Sequence, residues 1–211
     1  AKSYYGSISD GTNYIQDINK SSNLVVWYDQ YVAQQCSYFV PKNLSTVIVT
    51  QDTGLSNRAF FSIPSLKEVY LPDSCTDLGG EFIFSGSTNL VRVRLPKTVG
   101  TLGVGMFSQC TNLGNIDSAN GGVPFVESKL AAFDSTMENE NVVEGSLTLP
   151  RQLTDIPEGF VYQCTNLKTV NIPSTVKTIG MMAFGQLKCD KLEIPEGVCS
   201  LGTNAFYNLE N

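Results

Sequence analysis

The sequence has no histidine, and charged residues make up only 16% of its 211 positions. Without histidine neither a Ser-His-Asp triad nor a Cys-His pair can form, and zinc loses its commonest nitrogen ligand. The 6 cysteines include no Cys-x-x-Cys pair, which is the usual spacing of a structural zinc site. We therefore expect no catalytic residue, no metal site and no cofactor, and we predict that the protein is not an enzyme.

Positive charge and long apolar runs are also scarce. The chain has 14 basic against 20 acidic residues, for a net charge of −6. Nucleic-acid binding needs a basic stripe, and a membrane span needs about 20 consecutive apolar residues. Neither is present, so we expect no nucleic-acid partner and no membrane insertion. The start at Ala1 shows no signal peptide, and we expect that a leader has been removed.

What the sequence does contain is a repeated unit. Each unit has a short apolar strand and, 13 to 17 residues later, a phenylalanine. A period of this size predicts a solenoid. The predicted strands begin at Val47, Val69, Val93, Ile116, Leu147, Val170 and Leu192. The phenylalanines are Phe60, Phe82, Phe107, Phe133, Phe160, Phe184 and Phe206.

Most units continue in a similar way after the strand begins. Residues 93–96, Val-Arg-Leu-Pro, alternate apolar and polar side chains, which predicts a strand with one buried face. The proline lacks the N–H that a further ladder bond would need, so the strand ends there. A second apolar residue follows six positions later and is expected to turn the chain back toward the core. These residues are Leu78, Leu102, Ile156, Ile179 and Leu201.

Residues 172–184, Ile-Pro-Ser-Thr-Val-Lys-Thr-Ile-Gly-Met-Met-Ala-Phe, resemble the BspA-like leucine-rich repeat, Ile-Pro-x-x-Val-x-x-Ile-Gly-x-x-Ala-Phe. The resemblance extends over 44–113 and 147–208. It implies a right-handed leucine-rich-repeat superhelix of the α/β type, with one short strand per 22–24 residues and little regular helix. It also implies a secreted or surface-displayed bacterial protein that adheres to host matrix proteins or to other cells.

Two segments depart from this pattern. Residues 114–146 lack the strand-ending proline and carry extra residues, so they are either a degenerate repeat or a loop. Residues 1–43 are rich in aromatic side chains and are predicted to cap a solenoid of about seven repeats at 44–211. The alternative is a glycan-binding platform in which flat rings stack on sugars. Its candidate contacts are Trp27, Tyr28 and Tyr31.

Two residue types in the repeats are predicted to be structural. Cys110 and Cys164 each stand in a Gln-Cys-Thr-Asn-Leu step, so both should be buried free thiols at the same position of different repeats. The asparagines of these steps are expected to satisfy backbone groups in the turn that leads to the next strand.

The polar strand positions that flank the buried ones form the candidate protein-binding face. Adjacent strands lie about 4.8 Å apart, so these positions should make one continuous surface. Arginine and tyrosine are enriched in binding hot spots. The alternative is a solvated sheet with cross-strand ion pairs such as Glu68 with Arg92. The candidates are Glu68, Tyr70, Arg92, Arg94, Asp117, Thr148, Asn171 and Glu193.

We therefore predict a secreted or cell-surface, adhesin-like binding protein whose partner is another protein or a host surface. Two alternatives stay open. The first is the glycan-binding module. The second is a structural spacer in a larger surface or fibre assembly, since the residues after Phe206 leave a strand edge that could associate end to end with another copy.

Overall fold

The computed structural model describes residues 22–29, 34–41, 44–49, 53–115, 142–143 and 146–210. Within these ranges the chain is a β-solenoid without helix, and no segment of them could cross a membrane as a helix. The strands are β1 (Ser22–Asp29), β2 (Gln34–Pro41), β3 (Thr46–Ile48), β4 (Glu68–Tyr70), β5 (Arg92–Arg94), β6 (Val142–Val143), β7 (Ser146–Thr148), β8 (Asp155–Ile156), β9 (Thr169–Asn171), β10 (Thr178–Ile179), β11 (Lys191–Leu192) and β12 (Ser200–Leu201).

The first strand of each repeat stacks in parallel on that of the next. We call these stacked strands the first ladder, in which β3, β4 and β5 form an N-terminal section and β7, β9 and β11 form a C-terminal section. The central residue of each strand lies beside its counterpart, so that Val69 faces Val93 and both are fully buried. This confirms the leucine-rich-repeat solenoid and six of the seven predicted strands. The strand predicted at Ile116 lies outside the described residues.

A second parallel ladder runs along another side of the coil. It joins β8, β10 and β12, and an isolated bridge links Leu78 to Leu102. Its apolar residues are the second anchors predicted from the sequence. Leu78, Leu102, Ile156 and Ile179 are buried as expected, whereas Leu201 is 58% exposed, so its predicted inward position is wrong. The prediction of one strand per repeat holds for the first ladder. In the C-terminal repeats the anchors form further two-residue strands, which make up the second ladder.

Phenylalanine rings stack along the interior. Phe84 lies between Phe60 and Phe107, with ring centroids 5.6 and 5.5 Å apart and nearly parallel planes. The prediction of Phe82 for this unit is wrong. The backbone N–H of Phe60 donates to the carbonyl of Ile83, and this bond sets Phe84 opposite Phe60. Phe82 instead has a positive φ of 54°, and its ring lies beside the Arg58 guanidinium.

Phe133, the phenylalanine predicted for the next unit, lies outside the described residues. The ring of Phe107 directly contacts that of Phe160, with ring centroids 5.5 Å apart. The N–H of Phe107 donates to the carbonyl of Phe160, and the thiol of Cys164 donates to the carbonyl of Phe107. The coil that contains Phe160 therefore follows the coil that contains Phe107, with no coil between them on this side.

The departure from the repeat occurs on the strand side. The N–H of Gly114 still bonds to the carbonyl of Val91 in the preceding coil. The described chain resumes at β6, which pairs with β7 in the antiparallel sense. Residues 116–141 lie outside the described part. Among the described strands, β5 and β7 therefore belong to separate sheets, although Phe107 and Phe160 are direct neighbours.

Left-handed backbone recurs at two positions in each outer turn, four residues apart. This conformation costs a non-glycine residue about 1–2 kcal/mol, so the sequence alone would favour glycine here. Glycine occupies only some of these positions, because the ladder bonds on both sides impose the turn. The first column is Arg58, Phe82, Gly105, Gly159, Met182 and Asn204, and the second is Ser62, Gly86, Gln109, Gln163, Gln186 and Asn208.

The structure confirms that Cys110 and Cys164 are buried free thiols. Each donates to a carbonyl of the preceding coil, Cys110 to Phe84 and Cys164 to Phe107. Burial raises the pKa of both thiols, so both are held in the neutral form. They act as small core side chains that also donate hydrogen bonds to backbone carbonyls.

The asparagine steps are also structural, as predicted. The Nδ2 atom of Asn112 donates to the carbonyl of Thr88 at 2.9 Å, and that of Asn166 donates to the carbonyl of Thr111 at 2.6 Å. Each bond joins one coil to the coil before it. These side chains therefore bind successive turns to each other.

Candidate binding face

Four of the predicted face residues are buried. Glu68 and Tyr70 on β4 and Arg92 and Arg94 on β5 have exposed fractions of 7%, 0%, 9% and 2%. We call this group the N-terminal face. The expectation that these four side chains form an open surface is wrong.

Pairing of charges offsets the cost of burying the charged side chains. The register places Glu68 opposite Arg92, and the carboxylate oxygen Oε1 lies 3.3 Å from Nη1 of the arginine. The Nη1 atom of Arg94 lies 2.9 Å from Oδ1 of Asp73 and donates to the carbonyl of Leu71 at 2.6 Å. Charges leave water at a tolerable cost only when they are paired and hydrogen-bonded. The cross-strand ion pair that the sequence suggested as the alternative is confirmed.

The environment of this face changes two pKa values. Burial raises the pKa of Tyr70 to about 12, although the nearby Arg92 acts in the opposite direction. The pKa of Asp73 is lowered. Burial alone would raise it, but the bonds from the Lys97 N–H and the Arg94 guanidinium outweigh burial. The N-terminal face therefore holds a neutral phenol, and the adjoining Asp73 is ionised, near neutral pH.

Three other predicted residues are accessible. Thr148, Asn171 and Glu193 follow one another at equivalent positions of successive repeats. The side chain of Asn171 is exposed, and its Nδ2 atom donates to Oγ of Ser146 at 3.1 Å and to Oγ1 of Thr148 at 2.9 Å. We call the polar residues of β7 and β9, together with Lys191 and Glu193, the C-terminal face. Asp117, the remaining candidate, lies outside the described residues.

The far end of the C-terminal face adjoins an open groove. Lys191 and Glu193 form an exposed ion pair with a separation of 2.7 Å. A groove of about 550 Å³ begins at Glu193 and is lined by Ile172, Ser174, Glu193, Ile194, Pro195 and Glu196. Within the described part of the chain, no three His, Cys, Asp or Glu side chains are grouped as metal ligands would be.

Sequence reasoning missed two residues that matter for these faces. Asp73 follows the strand-ending Pro72 and looks like an ordinary loop residue, yet it pairs with the buried Arg94. Ser146 is the first residue of β7, and its Oγ accepts a hydrogen bond from the Asn171 side chain. Cross-strand register could have indicated Ser146, because it lies one strand from Asn171. No pattern within a single repeat indicates Asp73.

The glycan candidates can be placed only in part. Trp27 and Tyr28 lie in β1, which pairs with β2 as an antiparallel hairpin with Trp27 opposite Cys36. Only the backbone of this hairpin is described, and Tyr31 lies outside the described residues. A glycan site formed by these rings stays a prediction.

Comparison with known proteins decides the family. A sequence profile of the BspA type leucine rich repeat region matches residues 33–143 and 132–211, with 6 copies of the repeat. The chain belongs to the BspA-type leucine-rich-repeat family. No curated protein matches the chain significantly.

Solved structures of bacterial leucine-rich-repeat proteins share this fold. A leucine rich cell surface protein from Faecalibacterium prausnitzii is 20% identical with a TM-score of 0.50, over 90% of this chain and 51% of that one. A leucine-rich repeat protein from Eubacterium ventriosum is 15% identical with a TM-score of 0.54, over 88% and 50%. The T. pallidum leucine rich repeat protein is 21% identical with a TM-score of 0.50, over 85% and 83%.

This chain thus spans about half the length of the first two structures. At these identities the similarity shows the fold alone. Family membership is more informative, since BspA-type repeats serve as binding scaffolds in bacterial surface proteins and typically perform no catalysis.

Proposed function

We propose that this chain is a secreted or cell-surface, adhesin-like recognition protein that binds a protein partner on a host surface through its C-terminal face. The observation that carries the proposal is the hydrogen bonding of Asn171. Its side chain ties Ser146 and Thr148 into one exposed polar network across two strands.

A network of this kind favours binding because it is already ordered. Immobilising a free polar side chain in an interface costs about 0.5–1.5 kcal/mol. The bonds from Asn171 meet much of this cost in the unbound protein. The backbone beneath is rigid, because β7 and β9 pair in register and the central residues Leu147 and Val170 are buried. The hydroxyl and amide groups can therefore meet a partner without rearrangement.

The experiment begins with binding of the whole chain to paired arrays of extracellular-matrix proteins and glycans. Affinity for a matrix-protein hit is then measured for Asn171→Arg, which breaks the network and projects a long charged side chain from the face. We expect affinity to fall by at least about tenfold, as for a hot-spot residue. The matched control is Ser200→Arg, which adds the same side chain to an exposed position of the second ladder.

The control should leave affinity nearly unchanged. Equal loss in both variants would show that added charge anywhere weakens binding, and an unchanged affinity for Asn171→Arg would exclude the C-terminal face. A hit on glycans alone would contradict the protein partner and direct attention to Trp27 and Tyr28.

A second candidate function, assembly with another copy, is favoured by the edge that β11 and β12 form. These strands are the last of their ladders in the described chain, and the coil around them exposes apolar side chains. An unpaired strand edge with apolar neighbours tends to pair with another chain. The exposed apolar residues are Ile194 at 40%, Leu201 at 58%, Tyr207 at 49% and Leu209 at 38%.

This candidate predicts that the mass measured by light scattering rises with concentration. Leu201→Lys should keep the chain monomeric at concentrations at which the unmodified chain associates. Gln152→Lys adds the same charge at an exposed position away from this edge and should not change the assembly. A chain that is monomeric at every concentration would exclude the spacer built from this edge.

A further inference from the structure

The guanidinium group of Arg94 is bonded on one side only. Its Nη1 atom contacts Asp73 and the carbonyl of Leu71. Among the described residues, neither Nε nor Nη2 has an acceptor within hydrogen-bond distance, and both nitrogens are buried. The side chain as a whole is 2% exposed. Two N–H donors of a charged group therefore lie inside the protein and point away from its ion pair.

Unmet donors of this kind are costly. A buried polar group without a partner destabilises a protein by about 1–3 kcal/mol, and more when the group is charged. Nε and Nη2 also share one edge of the guanidinium plane. This edge donates two parallel hydrogen bonds to the two oxygens of a carboxylate, a geometry that lysine cannot reproduce. The donors that Arg94 leaves unused are thus those that recognise a carboxylate.

The surrounding charges decide which anion fits. Arg92 is paired with Glu68, and Arg94 with Asp73, so the four formal charges balance. A dianion such as a phosphate monoester would add two uncompensated charges to a buried site, which is expensive. A single carboxylate adds one charge and receives two charge-assisted hydrogen bonds in return. Asp73 competes only weakly with such a ligand for the guanidinium group, because its side chain is 33% exposed and also accepts a hydrogen bond from the Lys97 N–H.

We propose that the Nε and Nη2 edge of Arg94 binds one carboxylate group, contributed by a small free carboxylic acid or by an acidic side chain of a partner protein. This site is distinct from the C-terminal face. The two nitrogens have no exposed surface, so entry requires a local opening of the kind that folded proteins undergo.

The test measures thermal unfolding of the whole chain in sodium acetate and in sodium chloride at equal ionic strength. A ligand that binds the folded state raises the midpoint by mass action, so acetate should raise it above chloride. Arg94→Lys keeps the charge but loses the paired donors, and the acetate effect should disappear. The matched control is Arg151→Lys at an exposed position, which should keep the effect.

A second arm distinguishes the source of the carboxylate. A short blocked peptide with one aspartate replaces acetate, and its asparagine counterpart serves as the reference. Stabilisation by acetate supports a small free acid, and stabilisation by the aspartate peptide alone supports an acidic side chain. No effect of either compound, or an equal effect in Arg94→Lys, would overturn the proposal.

Arg94→Lys could fail to fold, so a measurement on the unmodified chain completes the test. Arginine Nε–H signals in a nitrogen-15 NMR spectrum shift when a carboxylate binds. We expect acetate to move one such signal to saturation. If no arginine Nε–H signal responds to acetate or to the aspartate peptide, Arg94 binds no carboxylate.

Discussion

The N-terminal and C-terminal faces are built on the same backbone and differ in almost everything else. Both contain three-residue strands that pair in parallel register above a row of buried aliphatic side chains. One face carries two ion-paired arginines and a tyrosine and is buried. The other carries hydroxyl and amide groups and is exposed. The repeat therefore constrains the inward positions and leaves the flanking positions free to acquire different properties.

The interior shows how little of this difference comes from the core. Phe84 stacks between two rings in the N-terminal repeats, and Phe184 stacks on Phe206 in the C-terminal repeats, with nearly parallel planes in both cases. The stability of the N-terminal and C-terminal repeats should thus depend on similar packing. Substitutions on the two faces, by contrast, should change stability by different amounts.

The largest loss of stability should come from the core that both parts share. There the two positions compared are both phenylalanines, and they differ in the number of rings stacked against them. Phe84→Ala removes a buried ring with partners on both sides and should lower the free energy of unfolding by about 3–5 kcal/mol. Phe206→Ala removes a half-buried ring with one described stacking partner and should cost clearly less. Urea unfolding of both variants checks this. Equal losses would mean that position along the stack is irrelevant.

A smaller effect should separate the ion pairs of the two faces. Glu68→Ala leaves the buried Arg92 without its carboxylate and should cost about 3 kcal/mol. Glu193→Ala breaks an exposed pair with Lys191, whose contribution is below about 1 kcal/mol. The measurement is the same urea titration. If both variants lost the same stability, the N-terminal face would behave as a solvated sheet.

The smallest effect concerns pH and should appear only on the N-terminal face. The pKa of Tyr70 is raised to about 12 from 10.0, so the unfolded chain loses this proton at a lower pH than the folded chain does. Stability is therefore unaffected by Tyr70 below pH 10 and falls as the pH rises toward 12. A pKa difference of about 2 corresponds to about 2.7 kcal/mol.

The check compares unfolding of the unmodified chain and of Tyr70→Phe between neutral pH and strongly alkaline pH. The variant should lose the part of the decline that belongs to Tyr70, while the contribution of other tyrosines remains. An identical decline in both proteins would show that the Tyr70 hydroxyl is solvated in the folded state.

Much of the fold could be predicted because its signals are local and repeated. The repeated apolar strand starts, most of them followed by polar-apolar-Pro, located the described strands of the first ladder, and the shared step of Cys110 and Cys164 predicted two buried thiols. The errors occur where two residues compete for one role. Phe82 and Phe84 are both aromatic and two positions apart, and only the bond from Phe60 to the Ile83 carbonyl decides between them.

The binding face was predicted less well, for a related reason. Sequence spacing shows which side of a strand a residue occupies, so Arg94 and Asn171 were both placed on the polar side. It does not show whether a carboxylate from another segment reaches that side. Asp73, which lies beyond the end of its strand, pairs with Nη1 of Arg94 in this way, while the partners of Asn171 among the described residues are neutral hydroxyls.

The sequence by itself determined the solenoid, its period and the inward-facing residues, because each repeat buries the same positions against its neighbours. The tertiary structure alone decided which phenylalanine enters the stack, where the outer turns adopt left-handed backbone, and which polar side chains remain in contact with water. These outcomes depend on contacts between coils that are 20 to 60 residues apart, and no pattern within one repeat contains them.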